Sequence, residues 1–373
     1  MKQTQAFLST YTADVSGVCS ALFELGGMTV MHDASGCNST YNTHDEPRWY
    51  DMDSLVYISG LSELEAVMGD DEKLITDIVD AARQLHPRFI ALAGTPIPMI
   101  TGCDLPAIAR EVAGRTNIPS FAVPSNGIGT YVAGAGQALR LYAERFITSR
   151  PEKRKNAVNI LGATPLDFSV NGCVQSMARR LTEAGFTLQS IFAMGSGFDA
   201  IDEAGAAEVN LVVSSVGLPA ANYLKERFGT PYVIGAPFGD FFSPYLFDAL
   251  RQSIRTGENT QVLGTCAPGA PDTVIIGESV TAKSLAAALA VGYGIGARVI
   301  CPVETPEGVL GACDLQLEDE EEIEQALRGA RRVIADPLYK PIVPKTSKFY
   351  ELPHEAFSGR IFRRQIPNLA EHV

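Results

Sequence analysis

GGMTVMHDASGC, residues 26–37, is an apolar run that ends on a histidine and an aspartate, then turns through a glycine to a cysteine. Residues 29–32 have the length and apolar content of a buried strand, and Gly36 supplies a flexible turn directly before Cys37. The rest of the chain repeats this punctuation: a buried-looking strand, a glycine-bearing loop and a helix of ordinary length, in alternation. That alternation predicts α/β units with parallel sheets.

It falls into three stretches. Residues 1–150 carry expected strands at 29–32, 54–58 and 89–93 and helices at 19–25, 72–84, 105–115 and 133–146. The charged, proline-bearing run 150–155 reads as a linker. Residues 155–262 form a second α/β unit, with strands at 157–161, 211–214 and 232–235 and helices at 174–184 and 220–228. After a proline- and glycine-rich linker at 263–271, residues 272–373 form a third, with strands at 273–276, 298–300 and 332–335, helices at 282–293 and 318–328, and an irregular tail. The acidic run 319–322 suits the dipole at a helix start and reads as a solvated face. Ligands of open α/β sheets bind outside the carboxyl ends of the strands, so that edge is where chemistry is expected.

At 373 residues and 46% hydrophobic, the chain can bury more than one core. A formal charge of −13 excludes nucleic acid as the main partner, because that affinity comes from basic groups. The most apolar stretch, 284–297, is too short and too glycine-broken to span a bilayer. The polar start lacks an export signal, so a cytoplasmic protein is expected. Seven cysteines without an export signal argue against a disulfide framework and leave metal binding or plain burial.

Cys19, Cys37 and Cys103 fall on one edge of the first unit: at an expected helix start, after a strand, and just ahead of the helix near Leu105. Helix amino termini stabilise thiolates, and iron–sulfur centres need cysteine thiolates that can come from scattered positions. Burial as small apolar side chains is the alternative. His32, beside Asp33, either exchanges protons with a substrate or donates a hydrogen bond to a loop carbonyl. The polar run 38–46, with Asp45 and Glu46, reads as a surface for a partner. Loops 162–167 and 277–281 resemble phosphate cradles faintly and lack G-x-G-x-x-G or a Walker lysine, so this chain is not expected to bind ATP.

The order Ser16-Gly17-Val18-Cys19, then His32 to Cys37, then Thr95 to Leu105 resembles the amino-terminal domain of nitrogenase component 1 subunits. The tail 349–359 is similar to that family's carboxyl-terminal loop by the substrate cavity. The resemblance implies three Rossmann-like α/β domains and a 4Fe-4S cluster at an interface with an identical or homologous subunit, in a dimer or tetramer. Its ligands would be Cys19, Cys37 and Cys103. It also implies an ATP-dependent Fe-protein-type reductase as electron donor, and a small-molecule substrate in the cleft between the domains, with His32 and His354 as catalytic candidates. The expected function is an oxidoreductase subunit relaying electrons to that substrate; the alternative is a non-enzymatic scaffold for cluster or metallocofactor assembly. Two departures stand out. The family's third cysteine directly precedes a proline-initiated loop, where this chain has Thr95, and Cys103 follows eight residues later as a substitute ligand or as a plain helix-start cysteine. The family's cofactor cysteine falls on Val212-Val213-Ser214-Ser215 and its histidine on Pro353, one residue before His354, so no molybdenum cofactor is expected.

Overall fold

Three parallel sheets, one from each stretch, meet along a common seam. The computed structural model describes residues 6–8, 11–34, 36, 41, 45–264 and 271–373, so Cys37 and Cys266 lie outside the described residues. The first sheet contains β1 (Met28–His32), β2 (Leu55–Ile58), β3 (Ile90–Gly94) and β4 (Ser120–Val123), in the order β2-β1-β3-β4. The second contains β5 (Ala157–Leu161), β6 (Thr187–Ile191), β7 (Val209–Val212), β8 (Tyr232–Ile234) and β9 (Thr260–Gln261), in the order β6-β5-β7-β8-β9. The third contains β10 (Thr273–Ile276), β11 (Ala297–Cys301), β12 (Leu315–Gln316), β13 (Arg332–Ala335) and β14 (Lys348–Glu351), in the order β12-β11-β10-β13-β14. Every pairing within the three sheets is parallel.

The first sheet shows how sequence sets the layers. Along β3 and the residue before it, Phe89, Ala91 and Ala93 join one core while Ile90 and Leu92 join another, because successive side chains leave a strand on opposite faces. Helices Asp14–Leu22 and Tyr131–Phe146 cover the first face. Helices Asp71–Leu85 and Leu105–Thr116 cover the second. The first pair packs backbone to backbone: a Cβ on Gly17 would lie 2.4 Å from the Tyr131 carbonyl oxygen, and one on Gly134 only 1.9 Å from that of Asp14. Larger residues would force these helices apart.

Several elements differ from the sequence expectation. The first helix begins at Asp14, not at Cys19. Asp14 fixes that start, its carboxylate accepting N–H groups from Val15 (2.6 Å), Asn126 (2.9 Å) and Gly127 (2.8 Å). Cys19 therefore sits in the helix middle, away from the amino-terminal dipole. Helix Gly239–Thr256 has no counterpart among the expected helices, and part of the expected irregular tail is the edge strand β14, paired to β13. Glu320, expected on a solvated face, is buried and accepts the backbone N–H groups of Ala6 (3.1 Å), Phe7 (2.9 Å) and Leu8 (2.7 Å). The same seam carries the Thr12 N–H to the Ala356 carbonyl (2.9 Å) and joins the Tyr11 and Tyr339 hydroxyls (2.5 Å). Cys19, Cys103, Cys173 and Cys301 are free thiols, whereas Cys313 is disulfide-bonded, against the expectation of no disulfides. No helix among the described residues is long and apolar enough to cross a membrane.

Candidate active site between the three sheets

The loops after β5 and β7 touch because both carry glycine. Gly162 has φ +86°, and a Cβ on Gly217 would lie 2.5 Å from the Leu161 carbonyl group. Their contact brings Ser214 to Asp167. Thr164 caps the short helix Pro165–Phe168, and Pro165 at its first position presets the turn that holds Asp167. One Asp167 oxygen, Oδ2, accepts the hydroxyls of Thr164 (3.1 Å) and Ser214 (2.6 Å). The other, Oδ1, accepts the hydroxyl of Tyr131 (2.5 Å), which arrives from the first unit. Burial, followed by the Asp167 charge, pushes the Tyr131 ionisation well up, so this phenol stays a donor.

The third unit contributes His354. Its main-chain N–H donates to Asp336 Oδ2 (2.7 Å), and its ring stacks on Phe357 with centroids 4.3 Å apart. Its Nε2 lies 3.5 Å from Asp167 Oδ1, close enough for charge attraction yet without a hydrogen bond. The side chain is 13% exposed, and neither ring nitrogen has a hydrogen-bond partner among the described residues. Buried polar atoms are nearly always paired, so an unpartnered imidazole marks a place for a ligand or a water. The adjoining cavity, about 50 Å³, is walled by Phe168, Phe238, Ile276, Leu285 and Leu352, with Asp167 and His354 at its polar end. That is room for a few waters, so a larger substrate requires the units to part. Chemically, the arrangement offers an imidazole able to donate or accept a proton beside a carboxylate held fixed by three hydroxyls. Next to it, Glu355 accepts from Arg363 Nε (2.8 Å) and from the Ser169 hydroxyl (3.0 Å), tying the tail to the second unit.

The edge of the first sheet is built differently. Cys19 has no exposed surface, and burial, then the nearby Glu46 charge, pushes its thiol up. Cys103 packs against the opposite face of the sheet; its thiol donates to Asp71 Oδ1 (3.8 Å) and is pushed up to about 12 by burial and then by Asp71. Thr95 is fully buried, its hydroxyl donating to the His32 carbonyl oxygen (2.8 Å). His32 pairs through Nδ1 with the Ser59 hydroxyl (2.9 Å), and burial holds its pKa below the usual histidine value. The described contacts of His32 and His354 have no residue in common. Among the described residues no group of three or more His, Cys, Asp or Glu side chains is placed to hold a metal ion. Cys37 falls outside them. Cys19 and Cys103 belong to cores on opposite faces of the first sheet.

Two further expectations change. Asp45 and Glu46, read as a partner surface, are 8% and 2% exposed. Glu46 is paired with Arg48 (Nε to Oε1, 2.7 Å), and Asp45 accepts the Ser16 hydroxyl (2.9 Å), so both belong to the interior. In loop 277–281 the amides of Val280 and Thr281 are taken by the carboxylate of Glu278 itself, at 3.0 and 2.9 Å, which also accepts the Ser215 N–H (3.1 Å). A protein carboxylate occupies the place a phosphate would need. Tyr131 carries no signal in the sequence, and Asp167, Ser214 and Glu278 fall in stretches read there for other reasons, with no role as side chains. The pattern Thr164-Pro165-x-Asp167 is a helix-start signal that marks Asp167, whereas Tyr131 becomes significant only through contacts between units.

Residues 16–260 match the family model of nitrogenase component 1 type oxidoreductases. The chain belongs to that family. Among curated relatives of this nitrogenase component 1 chain, the nitrogenase iron-molybdenum cofactor biosynthesis protein NifE of Klebsiella pneumoniae is 24% identical over 239 residues, 60% of this chain and 51% of that protein. A light-independent protochlorophyllide reductase chain of Prosthecochloris aestuarii is 37% identical over 187 residues, 48% of this chain and 35% of that one. The nitrogenase molybdenum-iron protein alpha chain of Clostridium pasteurianum is 25% identical over 183 residues, covering 48% and 33%. The chain spans about half the length, or less, of the curated relatives it matches. A structure of nitrogenase Cp1 at pH 6.5 superposes with a TM-score of 0.71 at 14% identity, over 99% of this chain and 91% of that one. The nitrogenase component 1 architecture therefore extends through the third sheet, beyond the residues the family model matches.

Proposed function

We propose that this chain is the substrate-bearing subunit of a two-component reductase, working in the cytoplasm with an identical or homologous subunit. A separate ATP-hydrolysing, Fe-protein-type reductase supplies the electrons, and a small molecule is reduced where the three sheets meet. The observation that carries this reading is His354: a largely covered imidazole whose ring nitrogens have no hydrogen-bond partner among the described residues, 3.5 Å from a carboxylate held by three hydroxyls. His354 gives the substrate its proton, and Tyr131 and Ser214 hold Asp167 in place beside the imidazole. His32, tied to Ser59, is left with a positioning role at the end of β1. Leu64, Val67, Met68 and Ile100, exposed on helices Glu63–Met68 and Pro96–Thr101 at the first sheet's edge, support pairing with a second subunit. With Ser214 committed to Asp167, and no cysteine in that stretch, the cleft is proposed to hold no molybdenum cofactor.

The test is anaerobic assay with a purified Fe-protein-type reductase, MgATP and candidate substrates. Substrate reduction that requires both donor and ATP is expected. Equal turnover driven by ferredoxin without ATP would refute the two-component reading. The matched stretch in NifE supports the competing reading, a scaffold for metallocofactor assembly. Release of a bound metallocofactor to an acceptor protein, without any turnover, would favour it.

A further inference from the structure

We propose that the three-cysteine cluster site implied by the family resemblance is absent from this chain: Cys19 and Cys103 are packing thiols, held apart by the first sheet, and not ligands of one cluster. This inference goes beyond the proposed function and does not depend on it, because it concerns only the roles of the two thiols.

The first ground is placement. A single cluster needs its ligands around one small volume. Cys19 belongs to the core that includes Ala91 and Ala93, whereas Cys103 packs with the core that includes Ile90 and Leu92. Alternation along β3 sends those pairs to opposite faces, so the sheet itself lies between the two thiols. The second ground is access. Cys19 lies in the middle of helix Asp14–Leu22, every residue of which is buried, and the helix backbone touches its neighbour at Gly17. Moving its sulfur to a surface cluster would require unwinding that helix. The third ground is the backbone at Cys103. Gly102, at φ +79°, ends helix Pro96–Thr101, and the Cys103 N–H is bonded to the Pro98 carbonyl oxygen (3.0 Å), which sends the thiol toward Asp71. The fourth is Thr95. Where the resemblance expects a cysteine, a buried hydroxyl closes on the end of β1 through the His32 carbonyl oxygen. Binding iron also means losing a thiol proton. Cys19 would then place a thiolate near Glu46, and Cys103 would place one against Asp71.

The experiment uses the full chain, reconstituted anaerobically with iron and sulfide, and reads two signals: iron per chain, and alkylation of each cysteine by iodoacetamide with and without iron. Cys103→Ser and Cys19→Ala are expected to take up as much iron as the unmodified chain. In the unmodified chain, Cys103 alkylation should not change when iron and sulfide are added, and Cys19 should react only after denaturation. Loss of iron in Cys103→Ser or in a folded Cys19→Ala, or protection of Cys103 by iron, would overturn the inference. Should Cys19→Ala fail to fold, the alkylation of the unmodified chain decides. An unmodified chain that takes up no iron while Cys103 alkylation stays unchanged would likewise support the inference.

Discussion

Two buried polar clusters in this chain, around Arg48 and around His354, use similar ingredients to opposite ends. At Arg48 the guanidinium is spent: Nε and Nη2 bind Glu46 (2.7 and 2.9 Å), Nη1 binds Glu24 (2.8 Å) and the Ala193 carbonyl oxygen (2.9 Å), and Nη2 also binds the Ser20 carbonyl oxygen (2.8 Å). At the cleft the carboxylate of Asp167 is equally well supplied, yet the imidazole facing it bonds to nothing among the described residues. A closed network of this kind serves packing, joining the first unit to the second through Ala193. An open one leaves valence for a visitor. Charge and burial alone would rank the Arg48 cluster as the better functional candidate; counting satisfied donors reverses the order.

The comparison can be broken most forcefully at Glu46. Glu46→Lys places two cations together without water, and stability should fall by about 3–5 kcal/mol or more, read as a lower urea midpoint. A folded, stable variant that merely binds the electron donor less well would restore the surface reading of residues 38–46. Next in size, His354→Ala should leave the urea midpoint nearly unchanged and lower donor-driven turnover by about 10²–10⁴-fold. An unchanged rate would make His354 a packing ring. Tyr131→Phe removes one donor from a buried carboxylate and should cost about 1–3 kcal/mol. It should also move the pH profile of turnover, which a purely structural tyrosine would leave in place. The smallest effect concerns Glu320. Burial alone would raise its carboxyl, but the N–H groups of Leu8, Phe7 and Ala6 outweigh it and hold the group below the usual carboxylate range. A carboxyl depressed in the folded state contributes stability above its unfolded pKa, about 4.3, and loses it as pH falls through the folded value. Hydrogen-exchange protection of residues 6–8 should therefore persist at pH 7 and fade below about pH 4, and Glu320→Gln should reduce it at every pH.

Much of the fold could be read locally. Strands β5 and β10 run over the residues their apolar runs mark, because a central parallel strand is buried on both faces and needs no long-range information to be recognised. Strand β14, KFYE, was hidden by its edge position, where Lys348 and Glu351 face water and blur the pattern. At the site, His354 was reachable through the resemblance of the tail. Asp167, Tyr131 and Ser214 were not, since they lie in three separate segments and acquire meaning only when Gly162 and Gly217 let two loops touch. Cys19 shows the limit of a local reading. Its expected place at a helix start and the family resemblance suggested a ligand, with burial as the alternative, and the structure moves the helix start from Cys19 to Asp14 and buries the thiol.

The seam held by Glu320 also bears on how the protein is made. Residues 6–8 find their partner more than three hundred positions later, Tyr11 waits for Tyr339, and Thr12 for Ala356. At ribosomal speeds of about 5–20 residues per second, those partners emerge roughly 15–60 s after the residues they complete. Residues 6–8, Tyr11 and Thr12 must therefore wait for their partners while more than three hundred residues are added. A nascent chain halted before residue 320 would carry two finished sheets while those residues lack their partners, in need of a chaperone's cover until the third sheet is complete.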